Sequence, residues 1–490
     1  MNGMAHTSDL WTASEIAKAT AGATEGNWLV SGVSIDSRVV KNGDLFVAIR
    51  GPNHDGHAYV VDALAKGAAG AVVRAAEAVG LGSSVDKDRL VCVDDTLVAL
   101  EDLARAARER SHARVAAITG SVGKTSTKEA LRRALGAQVD GPSRVCASEG
   151  NLNNHWGLPL SLARLPKAAA YGVFEMGMNH LGEISPLSRM ARPHVAVITT
   201  VSDTHREFFE SLDQIADAKA EIFDGLTPDG VAVLNANNPK LDRIVGAARA
   251  AGVNRVMTFG SLPDADCRLV DITLNAASSD ITVEIEGRAF SYIMGVPGRH
   301  LAMNSLATLC ALHALGADVE AGAAALANVQ GLKGRGERHQ VDMGEGTFEL
   351  IDESYNASPA SMAAAIAVLA TSQPQSGGRK IAVLGDMLEL GDQSEKLHAA
   401  LVVPLVEGGI DLVFTAGLYM SLLWEALPAN MRGGHVATAK KLVPMVSSSV
   451  QPGDVVMVKG SLGSCTRIVV DALLETRRHD ALAPCVVNGG

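Results

Sequence analysis

The sequence RVAAITGSVGKTSTKEALRRALGA, residues 114–137, contains an apolar run, a glycine-rich loop and a helix-forming run. This order predicts a strand, a turn and a helix, the unit that begins a parallel sheet. We therefore expect a domain to start near residue 113, with further α/β elements on both sides of it.

The glycine-rich loop, residues 119–126, has the composition of a phosphate-binding loop. Glycines let backbone N–H groups surround phosphate oxygens, and the N-terminus of the following helix adds positive potential. Lys124 would reach the β- and γ-phosphates of a nucleotide, and the Thr125 hydroxyl would bind Mg²⁺. The loop is shorter than the GxxxxGK[ST] pattern, whose first glycine would fall at Ile118. Its place between a strand and a helix still predicts phosphate binding.

Upstream of this unit, residues 1–112 alternate short apolar runs with alanine-rich stretches of helical period. The apolar runs occupy 44–49, 67–73 and 89–93, and a closing helix is expected over 96–111. This pattern predicts a small N-terminal α/β domain.

Downstream, strands and helices alternate to about residue 329. Further strands of the sheet are expected at 172–176, 194–200 and 230–234. The near-alternating runs CRLVDITL and ITVEIEG, within 267–293, predict an antiparallel hairpin appended to the parallel core. We expect a central P-loop ATPase domain with a parallel sheet over residues 113–329.

The glycine-rich, basic segment GLKGRGERHQ, residues 331–340, predicts a hinge that follows a helix from His300 to about Leu315. Apolar runs beyond it predict strands at 348–353, 380–385, 411–417 and 454–460. Alanine- and leucine-rich helices separate them, which is typical of a Rossmann-like doubly wound domain, here residues 330–490. The predicted fold class is α/β with three domains.

Length and charge narrow the class of protein. The chain has 490 residues, which predicts several domains rather than one. Its 43 Lys and Arg against 54 Asp and Glu give a formal net charge of −11. A chain of this charge lacks the excess of positive charge with which proteins bind nucleic acid or an anionic membrane. An anionic substrate must therefore be held by a local site.

Cysteine spacing and hydropathy predict a cytoplasmic protein. The 6 cysteines lie far apart with no CxxC pair, which favours reduced thiols over a disulfide or zinc framework. The N-terminal residues lack the basic and apolar regions of a signal peptide. The longest apolar stretch, residues 362–370, is well short of the ~18–20 residues that cross a bilayer. We expect no membrane insertion.

A nucleotide-bound Mg²⁺ needs protein ligands besides the phosphates. Glu175 ends an apolar run, so it would lie at the carboxyl edge of the sheet, where such folds bind ligands. An ordinary strand-end carboxylate is the alternative. His205 and Lys219 are weaker candidates from spacing alone, which favours a capping histidine and a solvated lysine.

Taken together, the motifs resemble the ATP-dependent Mur ligases of peptidoglycan synthesis over essentially the whole chain. In order, they are SIDSR, GDLFVAIRG, DGH, TGSVGKTSTKE, GNLNNHWGLPLSL, EMGMNHLGEI, ADAKAEIF, PGRHLAMNSLAT, DESYNASPASM, VLGDMLELG and VKGS. Each motif alone could be accidental, but their order and spacing are highly specific.

The resemblance implies an ATP and Mg²⁺ site in the central domain. It places the triphosphate on Gly120, Ser121, Val122, Gly123, Lys124, Thr125 and Ser126. Beside Thr125, it makes Glu175 and His205 magnesium ligands, joined by Lys219 once that lysine is carbamylated. It brings Asn304 to the adenine and Arg335 to the phosphates, with Lys124, His205, Lys219 and Arg335 as the catalytic set. Near the ribose it leaves Asp352 and Glu353 as alternatives.

The resemblance also implies where the other substrates bind. The uridine diphosphate part is assigned to Ser34, Asp36, Ser37, Arg38, Asp55 and Gly56, although SxDSR alone equally fits a turn with a surface salt bridge. Asn151, Asn153 and Asn154 would face the acceptor peptide, with His155 where the family often has aspartate. Tyr355, Asn356, Lys459 and Ser461 would lie near an incoming dipeptide, and Leu462 stands where arginine is common.

The implied activity is an ATP-dependent amide ligase that joins D-alanyl-D-alanine to UDP-N-acetylmuramoyl-tripeptide through an acyl phosphate. We expect a monomer that closes over the intermediate about hinges near residues 112 and 330. Alternatives are a Mur ligase that adds diaminopimelate or lysine, a folylpolyglutamate synthase, or a P-loop switch or transport ATPase. SYNASP, where the diaminopimelate and lysine enzymes carry AHTPD, disfavours the first, and the SIDSR domain disfavours the second.

Overall fold

The computed structural model describes residues 10–202 and 207–479, which form four β-sheets with helices packed against them. Because the strands of the three larger sheets are mostly parallel and alternate with helices, the chain is an α/β protein, as predicted.

The first part of the chain contains a two-stranded and a four-stranded sheet. Its strands are β1 (Trp11–Thr12), β2 (Leu29–Val30), β3 (Gly32–Ser34), β4 (Asp44–Val47), β5 (Gly70–Arg74) and β6 (Leu90–Val93). Its helices are α1 (Ala13–Ala19), α2 (Val60–Ala65), α3 (Ala75–Ala78) and α4 (Thr96–Arg110). β3 to β6 are parallel and adjacent in chain order. The predicted closing helix corresponds to α4.

The central sheet has nine strands in the order β15-β14-β13-β12-β11-β10-β7-β9-β8. They are β7 (Arg114–Thr119), β8 (Val145–Ala147), β9 (Tyr171–Glu175), β10 (Val195–Ile198), β11 (Val231–Asn235), β12 (Arg255–Gly260), β13 (Cys267–Leu274), β14 (Ser279–Ile285) and β15 (Arg288–Met294). The accompanying helices are α5 (Lys124–Gly136), α6 (Gly157–Ala163), α7 (Ile184–Ala191), α8 (Leu212–Ala220), α9 (Leu241–Ala250), α10 (Arg299–Ala314) and α11 (Val319–Ala325).

β7, which carries the glycine-rich loop, lies inside this sheet between β10 and β9, and pairs with both in parallel. β7 is apolar because it is covered on both faces, as expected of a parallel strand. The predicted antiparallel hairpin is confirmed by β13 and β14, and β15 extends it at the edge of the sheet.

The third part of the chain contains a six-stranded sheet in the order β16-β17-β21-β18-β19-β20. Its strands are β16 (Glu337–Asp342), β17 (Thr347–Glu353), β18 (Lys380–Gly385), β19 (Leu412–Ala416), β20 (Arg432–Val436) and β21 (Val455–Lys459). Its helices are α12 (Pro359–Thr371), α13 (Ser394–Ala399), α14 (Val402–Glu407), α15 (Met420–Ala426), α16 (Ala439–Ser449) and α17 (Arg467–His479).

The hinge predicted over residues 331–340 is wrong in its second half. Residues 337–340 belong to β16, which pairs antiparallel with β17 at the edge of the sheet. The polar composition of β16 hid this strand, because an edge strand needs few apolar side chains. The irregular segment is limited to residues 329–336, where Gly334 and Gly336 adopt positive φ.

The first two parts share one hydrophobic core, whereas the third has cores of its own. Buried residues from Leu10 to Val253 form a single cluster, in which α4 packs against α6. The Trp11 indole N–H donates to the carbonyl of Ala163 at 2.9 Å, and the Arg164 guanidinium donates to the carbonyl of Val33 at 2.7 Å. Two separate clusters lie on the two faces of the third sheet.

Cys92, Cys146, Cys267, Cys310 and Cys465 are free thiols, as predicted, and Cys485 lies outside the described residues. Within residues 10–202 and 207–479, no helix is both long and apolar enough to cross a bilayer.

Candidate functional site

A cavity of about 790 Å³ lies between the carboxyl edge of the central sheet and the third part of the chain. Open parallel sheets bind ligands at this edge because loops from successive strands converge there. The central part supplies Ser121, Val122, Gly123, Lys124, Ser126, Asn151, Asn153, Asn154, His155, Glu175, Lys219 and Asn304 to the lining. The third part supplies Arg335, Glu353, Tyr355, Asn356, Lys459 and Ser461. The structure therefore brings together predicted site residues far apart in sequence.

The glycine-rich loop depends on both of its glycines. Gly120 has φ +150°, and a side chain there would overlap the hydroxyl of Thr199. Gly123 has φ +89° directly before α5, and a Cβ there would lie 2.6 Å from the Asn304 side-chain oxygen. The loop is tied to the end of β10, because Thr199 donates to the carbonyl of Val122 at 2.6 Å. These contacts hold the loop at the N-terminus of α5, as anion binding requires.

Lys124 is folded back over this loop, where its Nζ donates to the carbonyl of Gly120 at 2.7 Å. Burial lowers the pKa of Lys124, while the Glu175 carboxylate favours its charged form and Arg335 opposes it. A bound polyphosphate would favour the charged ammonium, because an anion then faces a poorly hydrated cation.

Glu175 lies at the carboxyl end of β9 and is only 2% exposed. One carboxylate oxygen accepts from the Thr125 hydroxyl at 2.8 Å, and the other accepts from the Asn153 amide at 2.8 Å. Its backbone N–H donates to the Ser148 hydroxyl at 3.2 Å. A carboxylate and a hydroxyl that meet beside a phosphate loop are oxygen donors suited to Mg²⁺.

Lys219 lines the same cavity from α8 and is 2% exposed. Burial, together with the charge of Lys124, lowers the pKa of Lys219 well below its ordinary value. The solvated lysine that spacing alone favoured is therefore wrong. His205, the other weak candidate, lies outside the described residues.

Asn304 and Arg335 approach the phosphate loop from two directions. Asn304 projects from α10 against Gly123. Arg335 belongs to the segment before β16, and its guanidinium lies 4.2 Å above the ring of Tyr355. The cation is thus held at the cavity by stacking, and both side chains are in reach of a ligand on the loop.

The structure distinguishes the two acidic alternatives at the end of β17. Asp352 is fully buried, accepts from the backbone N–H groups of Gly334 and Ser354 at 3.0 Å each, and pairs with Arg467. It does not line the cavity. Glu353 does, and its carboxylate lies 3.2 Å from the Lys459 Nζ. Asp352 organises the turn before β16, while Glu353 faces the ligand space.

The loop that precedes α6 carries the three predicted asparagines. Asn151, Asn153 and Asn154 all line the cavity. The Asn154 side chain also accepts from the backbone N–H of Gly157 at 2.9 Å, which fixes the start of α6. Only Asn153 also contacts the metal candidate Glu175. We call this loop the acceptor loop, after the role that the resemblance implies for it, and it is linked directly to the candidate cation site.

The predicted first-domain residues do not line this cavity. Ser34 ends β3, and Asp36, Ser37 and Arg38 follow it in a turn, in which the Arg38 guanidinium pairs with Asp36 at 2.7 Å. Asp55 accepts from the His57 backbone N–H, and Gly56 packs on the backbone of Ile49. Gly51 of the same loop packs against the ring of Trp156, at the end of the acceptor loop. This contact places the first-domain loops beside the acceptor loop.

Sequence reasoning missed several lining residues. Thr199 and Thr200 follow β10, and the rule that placed Glu175 at a strand end could have found them. Glu183 also lines the cavity. It belongs to the motif EMGMNHLGEI, in which the sequence predicted a role for Glu175 alone. Leu388 and Leu390 come from the quoted motif VLGDMLELG in the third part.

Three family models match successive segments of the chain. The Mur ligase family catalytic domain matches residues 29–114, the Mur ligase middle domain matches 118–312, and the Mur ligase glutamate ligase domain matches 334–462. Together they span each of the three larger sheets.

Curated relatives cover nearly the whole chain. The UDP-N-acetylmuramoyl-tripeptide--D-alanyl-D-alanine ligase of Rickettsia prowazekii is 35% identical over 439 residues, 90% of this chain and 94% of the relative. The Bacillus subtilis protein of the same name is 33% identical over 451 residues, 91% and 94% of the two chains.

Solved structures agree with these relatives. MurF from Acinetobacter baumannii superposes with a TM-score of 0.80 at 30% identity, over 95% of this chain and 99% of the other. MurF from Thermotoga maritima, in complex with ADP, gives a TM-score of 0.74 at 27% identity, over 92% and 98%.

Proposed function

This chain belongs to the Mur ligase family, and on that premise we propose that it joins D-alanyl-D-alanine to UDP-N-acetylmuramoyl-tripeptide, with ATP converted to ADP and phosphate. The product is the pentapeptide precursor of peptidoglycan, so the enzyme acts in cell-wall biogenesis and, through it, in cell shape, division and the cell cycle. It works in the cytoplasm as a monomer, without nucleic acid.

The observation that carries this proposal is the shared cavity. The phosphate loop, the acceptor loop at Asn151–Asn154 and the third-domain residues Tyr355 and Asn356 line one space. A switch ATPase needs only the first of these. A ligase needs all three, because the carboxylate, the phosphoryl donor and the amine must meet.

We assign the predicted sites within this cavity as follows. The triphosphate lies on residues 120–126, the adenine contacts Asn304, and Glu353 rather than Asp352 faces the ribose. Arg335 reaches the phosphates from the third domain. The domains are residues 1–112, 113–329 and 330–490, and closure occurs chiefly about the segment near 330, because among the described residues the third domain shares no hydrophobic cluster with another domain.

The donor set at the cavity fits magnesium. The Thr125 hydroxyl donates to one oxygen of Glu175 at the loop, and Lys219 is buried in the same cavity as Glu175, in an environment that favours its neutral amine. A neutral amine can be carbamylated, which would convert Lys219 into a carboxylate-like ligand, and His205 completes the proposed set. When bound, Mg²⁺ would neutralise charge on the transferred phosphoryl group.

The chemistry proceeds in two steps. The terminal carboxylate of the tripeptide attacks the γ-phosphorus of ATP, the bond to the β–γ bridging oxygen breaks, and ADP leaves. The dipeptide amine then attacks the acyl carbon, loses a proton, and displaces inorganic phosphate. Lys124 and Arg335 offset the charge that develops in the first step. Closure over the cavity excludes water, which would hydrolyse the acyl phosphate.

The nucleotide end of the acceptor substrate lies in the first domain, along Ser34, Asp36, Ser37, Arg38 and the loop at Asp55 and Gly56. Supporting this, Gly51 of that loop packs on Trp156, next to the acceptor asparagines. A substrate held at its diphosphate by the first domain could therefore extend its peptide directly into the cavity.

Phosphate release tests the proposal. The purified protein is supplied with Mg·ATP, UDP-N-acetylmuramoyl-tripeptide and D-alanyl-D-alanine, and each component is omitted in turn. We expect release to require all of them and mass spectrometry to show the pentapeptide nucleotide. ATP turnover without the other two substrates would reduce the protein to a P-loop ATPase. Turnover with diaminopimelate or lysine and a dipeptide acceptor would identify another Mur ligase.

A further inference from the structure

The third-domain wall of the cavity contains more apolar surface than the proposed phosphate chemistry needs. Leu388 is 42% exposed and Leu462 is 64% exposed, although both are large apolar side chains, and both line the cavity. Lys459 and Ser461, shortly before Leu462 in the chain, add polar groups to this wall. Exposed leucines inside a binding cavity are unfavourable in water, so a ligand that covers them gains affinity.

Small side chains of α12 form a second part of the same wall. Ala360, Ser361 and Ala364 line the cavity and are spaced at positions that share one face of the helix. Ala357, just before the helix, and Ala365 line it as well. Larger side chains at any of these positions would fill the space. The side chains on this face of α12 are small, and they therefore leave a recess in the cavity wall.

The leucines are carried by loops that the structure braces. The backbone N–H of Leu388 donates to the Ser461 hydroxyl at 3.0 Å, and that hydroxyl also contacts the carbonyl of Ala357 at 3.3 Å. A Cβ on Gly463 would lie 2.8 Å from the Leu388 side chain, so the two leucine loops are in contact. The backbone N–H of Met387 donates to the buried imidazole of His398 at 2.9 Å. Because these hydrogen bonds and contacts keep the two loops in place, a larger ligand cannot easily displace them, and the surface can select ligands by size.

We propose that Leu388, Leu462, Ala360 and Ala364 form the apolar recess that receives the side chains of the incoming dipeptide and limits their size. This inference rests on the proposed function. The occupant follows from the proposed function, in which the incoming amine is a dipeptide with methyl side chains and lies near Tyr355, Asn356 and Lys459, which line the same cavity as the recess. The alanines and the leucines together set the upper limit on size, and the leucines also supply the contact area that binds methyl groups.

Two variants test the two halves of the recess with D-alanyl-D-alanine, D-alanyl-D-valine and D-valyl-D-alanine as substrates. In Leu462→Ala, kcat/KM for D-alanyl-D-alanine should fall about 5- to 20-fold, while at least one valine-containing dipeptide should gain at least about fivefold relative to it. In Ala364→Val, KM for D-alanyl-D-alanine should rise about tenfold. KM for ATP and for the UDP-tripeptide should change by less than about twofold in both.

Matched controls separate the recess from general effects. Leu418→Ala removes a more exposed leucine of the same domain that does not line the cavity, and Ala367→Val adds the same bulk to the exposed face of α12. Both should behave as the wild type. Unchanged dipeptide preference in Leu462→Ala and an unchanged KM for D-alanyl-D-alanine in Ala364→Val, with both proteins folded by circular dichroism, would overturn the inference. Wild-type protein that fails to ligate any dipeptide would instead overturn the proposed function.

Discussion

The phosphate loop and the Ser34–Arg38 turn are both short polar motifs after a parallel strand, but they are built in different ways. In the phosphate loop region, polar groups bond across long sequence separations and are buried, as Thr125 does with Glu175. In the turn, Asp36 pairs with Arg38 two residues away, and the Arg38 side chain is 85% exposed. The phosphate loop is preorganised by the tertiary fold, whereas a ligand at the turn would have to replace an internal ion pair.

The largest effect is expected at the preorganised site. Lys124→Ala removes the cation that would face the γ-phosphate, so kcat for phosphate release should fall by about 10³-fold or more. The fold should persist, because within the described residues the Lys124 ammonium makes one hydrogen bond, to the Gly120 carbonyl. Steady-state kinetics and a thermal melt measure the two outcomes.

Lys240→Ala is the control. The Lys240 Nζ pairs with the Asp213 carboxylate at 2.7 Å, and Lys240 does not line the cavity. It should leave turnover unchanged. A folded Lys124→Ala protein with near-normal turnover would show that the loop does not bind the reacting phosphates, and the contrast with the Ser34–Arg38 turn would disappear.

The same contrast explains what could be predicted from sequence. The order of strand, loop and helix at residues 114–137 carries local signals, so the phosphate loop and its sheet were predicted directly. Glu175 was placed by the rule that ligands gather at strand ends. The antiparallel strand β16 was missed because its residues, ERHQVD, are polar, and edge strands carry little periodic signal.

Side-chain partners could not be predicted, because they depend on contacts between distant segments. Asp352 and Glu353 are adjacent and chemically alike, and sequence left both open. Only the fold shows that Arg467, 115 residues away, neutralises Asp352 while Glu353 faces the cavity. Likewise, spacing favoured a solvated Lys219, and its burial follows from how α8 packs.

The next effect in size tests the cation site. Glu175→Gln keeps the shape and one acceptor for Asn153 or Thr125 but removes the negative charge. We expect kcat to fall about 10²-fold and the Mg²⁺ concentration for half-maximal rate to rise at least about tenfold. A Mg²⁺ titration of phosphate release measures both.

Glu149→Gln is a matched control for this change, because Glu149 lies in the loop that carries Asn153, the partner of Glu175, but its side chain is 73% exposed and pairs with Arg164. Its Mg²⁺ dependence should equal that of the wild type. If Glu175→Gln and Glu149→Gln give the same Mg²⁺ curve, Glu175 is an ordinary strand-end carboxylate.

A smaller effect tests how the sheet beneath the phosphate loop is held. His194 Nδ1 accepts from the backbone N–H of Val115 at 2.9 Å, at the start of the strand that carries the loop. Burial and three nearby arginines lower the pKa of His194 to about 4 from 6.5. The folded state thus binds this proton less readily than the unfolded state, so stability is complete above pH 6.5 and is lost as the pH falls toward 4.

Between pH 7 and pH 5, the free energy of opening at Val115, measured by hydrogen exchange, should fall by about 1–2 kcal/mol. In His194→Asn, which does not titrate, the fall should be much smaller. The exposed His54 gives a control variant, His54→Asn, that should retain the wild-type dependence. Equal pH dependence in all three proteins would exclude His194 as the cause.

The smallest effect is expected in the Ser34–Arg38 turn. Arg38→Ala breaks an exposed ion pair, and such surface pairs contribute little to stability, so the melting temperature should hardly change. If the guanidinium exchanges Asp36 for the diphosphate of the nucleotide substrate, KM for UDP-N-acetylmuramoyl-tripeptide should rise about tenfold, more at low salt than at high salt. KM for ATP and for the dipeptide should stay constant.

Arg105→Ala provides the comparison that makes this small effect interpretable. Arg105 also forms an exposed pair with carboxylates of its own segment, Glu101 and Asp102, but on α4. Both variants lose one exposed arginine and the same net charge, so long-range steering of an anionic substrate changes similarly in each. A rise in KM confined to Arg38→Ala therefore requires direct contact with the nucleotide. An equal rise in both would leave the turn as a surface salt bridge and nothing more.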